Sequence, residues 1–207
     1  MQIGIIGTGR MGSGLGRLWL AAGHVIMFGS REPEKAAAMA ANMGLNANGG
    51  APIEAAAFGE VVVLATPWDV TEAVVRGVGS LAGKVVIDMT NALDEEGGAA
   101  LPNGTSAAEQ IATWATGARV VKAFNSIYFR VLDAPEFAGQ AASGFYCGDD
   151  AEAKATAARL IADAGFDPVD CGPLFVARHL EWLAALWIHM AFRSDMGQDF
   201  AFKLLRR

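Results

Sequence analysis

Hydrophobic and polar positions follow two rhythms along this chain. Unbroken apolar runs at Gln2 to Ile6, His24 to Phe28, Glu60 to Ala65, Lys84 to Met89 and Arg119 to Phe124 predict strands buried on both faces. Ser143 to Cys147 and Phe166 to Cys171 add two more. Between them, apolar residues recur at steps of three and four. Met11, Leu15, Leu18, Trp19 and Ala22 form one helix face, which Gly23 ends. Helices are also expected over 32–43 and 70–81, and from a cap at Thr105 or Ser106 to Trp114. Another runs from a cap at Asp149 or Asp150 to Ala164, and a long apolar one spans Leu174 to Phe192. Continuous strands alternating with helices specify an α/β fold with a doubly wound parallel sheet. Its ligands bind beyond the carboxyl ends of the strands. The chain becomes mainly helical after Gly148. The expected division is therefore 1–148 and a small, mainly helical C-terminal part, 149–207, which completes the cleft.

Gly7, Gly9 and Gly12 spell G-x-G-x-x-G between the first strand and the first helix. In that context the spacing reads as a Rossmann dinucleotide loop. Gly7 permits the tight turn, Gly9 lets a pyrophosphate approach the backbone, and Gly12 lets the helix pack on the strand. The free N–H groups of the helix start then face the phosphates. The second strand decides between NAD and NADP. An NAD site wants a carboxylate there for the ribose 2′-hydroxyl, whereas this chain has Gly29-Ser30-Arg31, with Lys35 one helical turn on. Ser30, Arg31 and Lys35 suit a 2′-phosphate, so NADP is expected, with Glu32 as the contrary signal. Three further strand ends reach the same crevice. They carry Thr66 and Pro67, then Thr90 and Asn91, then Asn125. Asn91 offers both a donor and an acceptor to a ribose or a carboxamide.

Composition narrows the class. The 207 residues carry a net charge of −6, which argues against general nucleic-acid binding. Met1-Gln2 leads into the apolar run without basic residues, so no signal peptide is expected. Trp182 to Phe192 falls short of the roughly 20 apolar residues of a membrane span. A cytoplasmic protein without a membrane partner is the expectation. Cys147 and Cys171 have no metal-ligand spacing and read as small buried packing residues. Lys122, His24, His179 and His189 also read as structural.

Several spaced segments resemble the family of coenzyme F420-dependent NADP oxidoreductases. They are IGIIGTGRMGSGLG, GSREPEK, ATPWD, VVKAFNSI, YCGDDAEAK, DCGPL and MGQDFAFKLL, and they cover nearly the whole chain. The resemblance implies a Rossmann domain with a small C-terminal part and F420 held between them. It also implies hydride transfer between NADPH and the deazaflavin. By position it implies NADP contacts at Thr8, Gly9, Arg10, Met11, Ser30, Arg31 and Lys35, and a nicotinamide wall near Thr66, Pro67 and Asn125. One departure stands out: F420-using members are expected to carry His where this chain has Asn125.

Hydride transfer between conjugated rings needs positioning more than acid–base groups. The absence of an obvious acid–base pair therefore suits F420 or a flavin-like acceptor. The alternatives are an NADPH-dependent reductase of a small carbonyl or imine, which would want a proton donor, and a non-catalytic module that senses NADP(H). The long C-terminal helix carries Trp182, Leu183, Leu186, Trp187 and Met190. They can be buried in the monomer core or, as preferred here, in a homodimer interface.

Overall fold

The computed structural model describes residues 1–94, 101 and 104–207. Strand β1 (Gln2–Ile6) leads into helix α1 (Arg10–Ala21), then β2 (Val25–Gly29) and α2 (Pro33–Ala41). Next come β3 (Ala47–Gly50), α3 (Pro52–Phe58), β4 (Val61–Leu64), α4 (Trp68–Gly77) and β5 (Val85–Asp88). Helix α5 (Ala107–Trp114) and β6 (Arg119–Ala123) precede a 3-10 turn, Phe129–Asp133. A two-stranded ribbon, β7 (Glu136–Phe137) and β8 (Gln140–Ala141), leads to β9 (Ser143–Gly148). The chain ends through α6 (Ala151–Asp163), β10 (Asp167–Asp170) and α7 (Ala177–Arg193).

One eight-stranded sheet has the order β10-β9-β6-β5-β4-β1-β2-β3. The chain winds outward from β1 through β2 and β3, then returns to β4 on β1's other side. That reversal opens a crevice at the carboxyl ends of β1 and β4. Both faces are covered. Ile3, Ile5, Trp19, Phe28, Val63 and Leu160 belong to one buried cluster; Ile6, Val62, Leu64, Val86, Ile111 and Leu180 belong to the other. Trp19 ties α1 to α6, because its buried Nε1 donates to the Leu160 carbonyl at 2.8 Å.

The structure departs from the sequence pattern in definite places. Strand β3 reads Ala-Asn-Gly-Gly, with no apolar run to mark it. Its backbone pairs with β2 from Ile26↔Ala47 to Gly29↔Gly50. The sheet is mixed rather than wholly parallel, since β9 runs antiparallel to β6. It also continues past Gly148, because β10 pairs parallel to β9. Of the alternative caps, Ser106 accepts from the Glu109 N–H at 3.2 Å, and Asp150 from the Ala153 N–H at 2.8 Å. Asp149 instead accepts from the Leu174 N–H at 2.8 Å. Leu174–Val176 is a 3-10 turn, so the last α-helix starts later than its apolar run. Cys147 is buried as expected, but Cys171 is only half-buried. The sequence also reads as a glycine-rich loop from the end of the Lys84 to Met89 strand through Gly104, and much of it lies outside the described residues. Among the described residues, no helix is long and apolar enough to cross a membrane.

Candidate functional site

The glycine loop joins β1 to α1 as its spacing implies. Gly7 has φ +117°, a conformation that strains any side-chain-bearing residue, and its N–H donates to the Gly29 carbonyl at 3.0 Å. A Cβ on Gly12 would sit 2.2 Å from the Gly7 carbonyl oxygen, so only glycine lets α1 start this close to the strand. A Cβ on Gly9 would meet nothing within 4 Å; it would stand in the space above the loop. An open cradle beside the start of a twelve-residue helix suits a phosphate group.

Three clefts share walls and run in series from this loop. The outer cleft, about 220 Å³, is bordered by Gly7, Thr8, Gly9, Ser30, Arg31 and Thr66, among others. Gly9, Ala65, Thr66 and Pro67 also border the middle cleft, about 620 Å³, with Arg10, Met11, Asn91 and Asn125. Asn91, Asn125, Ile127, Tyr128 and Phe192 continue into an inner cleft of about 280 Å³, where Trp187 and Ile188 close it. Lys35 stands apart: its ammonium lies 2.6 Å from a Glu32 carboxylate oxygen, and both side chains are exposed. Gly12 contributes packing rather than cleft surface. Thr90 does not reach the clefts either: it is buried, and its hydroxyl donates to Asp88 Oδ1 at 2.7 Å. Gly7, Thr8, Gly9, Arg10, Met11, Ser30, Arg31, Thr66, Pro67, Asn91 and Asn125 all border the clefts.

Hydrogen bonding fixes what several of these groups can offer. The Thr71 hydroxyl donates to the Pro67 carbonyl at 2.8 Å, and Thr66 Oγ1 lies 2.9 Å from Thr71 Oγ1. Thr71 has one proton, so Thr66 is the donor in that second bond. Its own oxygen is left as an acceptor. Asn91 Nδ2 donates to the Asn125 backbone carbonyl at 2.9 Å. Asn125 Nδ2 donates to Asn91 Oδ1 at 3.0 Å and to the Leu180 carbonyl at 2.8 Å. Asn125 is delivered off β6 by Phe124, whose φ of +62° is left-handed. The buried Phe124 ring packs edge-on against Trp19, with centroids 5.7 Å apart, and holds that turn in place.

A buried ionic cluster lies behind the two asparagines. Lys122 donates to Asp88 Oδ2 and to Glu181 Oε1, each at 2.8 Å, and to the Thr90 carbonyl. Asp88 Oδ1 also accepts from the Thr90 N–H and hydroxyl. Glu181 accepts from the Ala107 N–H at the start of α5. Burial by itself would lower the Lys122 pKa, but the two carboxylates outweigh it and hold the ammonium above its ordinary value. The structural reading of Lys122 thus gains its partners. The cluster bolts α7 to the strand ends that carry Asn91 and Asn125.

Sequence reasoning missed the aromatic wall. Tyr128 stacks on Trp187 with centroids 4.8 Å apart, and Phe192 meets both edge-on. Trp187 also stacks on Phe200 at 5.1 Å, which draws the C-terminal segment against the wall. The Arg10 guanidinium lies over the Phe129 ring, 4.3 Å from its centroid. The adjacent pair Tyr128-Phe129 after a strand end was the available signal. Of the histidines, His24 is buried, with Nε2 2.9 Å from Asp163 Oδ2, and lies outside these clefts.

Comparison with known proteins places the sequence and the fold among relatives. Residues 2–92 match the family described as NADP oxidoreductase, coenzyme F420-dependent. The F420-dependent NADP reductase of Methanothermobacter marburgensis is 32% identical over 213 residues, covering 94% of each chain. Metalloreductase STEAP3 of Rattus norvegicus is 31% identical over 180 residues, covering 87% of this chain. The chain spans only 36% of that protein's length. Among solved structures, a provisionally named F420-dependent NADP-reductase from Arthrobacter sp. FB24 superposes with a TM-score of 0.88 and 32% identity, with all of both chains covered. Motif, sheet order and full-length similarity converge: the chain belongs to the coenzyme F420-dependent NADP oxidoreductase family, within the NADP(H)-binding oxidoreductases.

Proposed function

We propose that this protein transfers a hydride between NADPH and a planar ring acceptor, coenzyme F420 or a flavin. The observation that carries the reading is the composition of the middle and inner clefts. Among the described residues lining them there is no His, Asp, Glu or Lys. Tyr128 is the one phenol, and its hydroxyl donates to Gln198 at 3.2 Å. Such walls position flat rings and exclude water, but they offer little proton traffic to a carbonyl or imine.

Each cleft has a part. The glycine loop with Thr8, Arg10 and Met11 takes the pyrophosphate. Ser30 and Arg31 take the 2′-phosphate. Glu32 is already occupied by Lys35, which removes a carboxylate that would otherwise compete for the ribose hydroxyls. Lys35 stays with Glu32 in this arrangement and adds positive charge near the 2′-phosphate, while Ser30 and Arg31 make the direct contacts. Thr66, Pro67, Asn91 and Asn125 border the nicotinamide, and the aromatic wall takes the acceptor ring. When bound, NADPH supplies the hydride; the protein supplies alignment and a dry cleft. Residues 1–148 thus form the nucleotide unit, and 149–207 complete the acceptor side through Trp187, Ile188 and Phe192. The outward face of α7, with Trp182 at 55% and Leu186 at 49% exposure, supports a homodimer.

The test is loss of NADPH absorbance against F420, FMN, FAD and a panel of carbonyls and imines. Turnover with a deazaflavin or flavin is expected. Turnover with carbonyls or imines alone would overturn the proposal. Tight NADPH binding without any turnover would make the protein a sensor.

A further inference from the structure

Asn125 borders both the middle and the inner cleft and is only 7% exposed. Both of its Nδ2 protons are used, one on Asn91 Oδ1 and one on the Leu180 carbonyl. Its Oδ1 is buried and has no hydrogen-bond partner among the described residues. The amide cannot escape by a half-turn. Rotation would set Oδ1 against the Leu180 carbonyl and Asn91 Oδ1, bringing three acceptors together. Asn91 cannot turn to rescue it, because its own Nδ2 is held by the Asn125 backbone carbonyl. Neighbouring contacts restrain the backbone as well. Phe124 is locked by its buried ring, and Lys122 holds the Thr90 carbonyl next to Asn91. A buried acceptor left unpaired is costly, and a bound donor that completes it recovers that cost.

We infer that Asn125 is a specificity-determining residue whose Oδ1 accepts a hydrogen bond from an amide-type N–H on a ring in the cleft. The inference rests on the hydride-transfer reading and narrows its ligand class. Two ring systems carry such a group: the carboxamide of the nicotinamide, and the imide of a flavin or deazaflavin. A ketone or aldehyde brings only another acceptor. Thr66, whose proton is committed to Thr71, presents an acceptor at the same cleft and adds to that bias.

The test uses the full-length protein and two ligand pairs, with dissociation constants from tryptophan quenching or calorimetry. The first pair is NADP+ and its 3-acetylpyridine analogue, in which a methyl ketone replaces the carboxamide. The second is 5-deaza-FMN and its N3-methyl derivative, measured with NADP+ present. The ligand that donates to Oδ1 should lose about 10-fold in affinity when its N–H is removed. A loss in the first pair assigns the carboxamide; a loss in the second assigns the imide. In Asn125→Leu the same pair should come within about 2-fold, because the missing bond no longer distinguishes its members. If that variant does not fold, the wild-type comparison decides. Parity in the nucleotide pair, with parity or no binding in the deazaflavin pair, overturns the inference while leaving NADP binding intact. A methyl-group loss that persists undiminished in Asn125→Leu also overturns it, since that is a steric effect. Failure to bind NADP+ itself would instead remove the underlying functional reading, and the inference with it.

Discussion

Lys122→Met tests whether the buried cluster behind the site holds the fold together. Methionine retains an aliphatic stem of similar length but no charge. The substitution removes bonds to Asp88 Oδ2, Glu181 Oε1 and the Thr90 carbonyl. Asp88 keeps the Thr90 N–H and hydroxyl, and Glu181 keeps the Ala107 N–H. Two carboxylates are then left in a dry site without a counter-charge. Removing one partner from a buried ionic group costs about 3–5 kcal/mol. For a chain of this size each kcal/mol lowers Tm by about 2–4 °C, so a fall of about 6–20 °C is expected. Urea unfolding followed by tryptophan fluorescence measures the cost. Replacing all three charges, with Asp88→Asn, Lys122→Met and Glu181→Gln together, should restore part of the loss, because no charge then remains buried. A single substitution costing less than about 1 kcal/mol, or a triple variant less stable than the single, would refute the reasoning. The pH dependence has a defined sign. The Lys122 pKa is raised above 10.5 in the folded protein, so its stabilisation is complete below 10.5 and is lost as pH rises through the folded value.

Three other outcomes follow from the geometry. Arg31→Ala should weaken NADPH binding by about 1.5–3 kcal/mol and NADH much less; equal losses would remove Arg31 from the 2′-phosphate. Gly9→Ala should unfold within about 1 kcal/mol of wild type, because its Cβ meets no protein atom, yet lose NADPH affinity at least about 10-fold. Gly12→Ala should lose both stability and binding, and calorimetry with thermal melts separates the two glycines. Burial pushes the Cys147 thiol up to about 12; burial raises the Cys171 thiol too, but that residue is only half-buried and so more accessible. Iodoacetamide at pH 8 should therefore modify Cys171 first and reach Cys147 only in denaturant; early labelling of Cys147, read by mass spectrometry of peptides, would contradict its buried position.

The amino-acid sequence by itself determined the parts whose signals are local. Five continuous apolar runs specified β1, β2, β4, β5 and β6. The glycine spacing specified the loop, because turn, cap and helix start all lie within a few residues. The place of Ser30 and Arg31 on the outer cleft was legible for the same reason, being fixed by the end of one strand. Tertiary structure alone decided what depends on distant partners. Strand β3 has no apolar run and exists through backbone pairing with β2. Strand β9 lies antiparallel to β6 because of where the chain re-enters the sheet, which no hydrophobic period records. Lys122 finds Asp88 and Glu181 from separate elements, and Asn125 acquires its fixed orientation only when α7 brings the Leu180 carbonyl to it. Periodicity reports which face of an element is buried; it is silent on which residue, far along the chain, that face will meet.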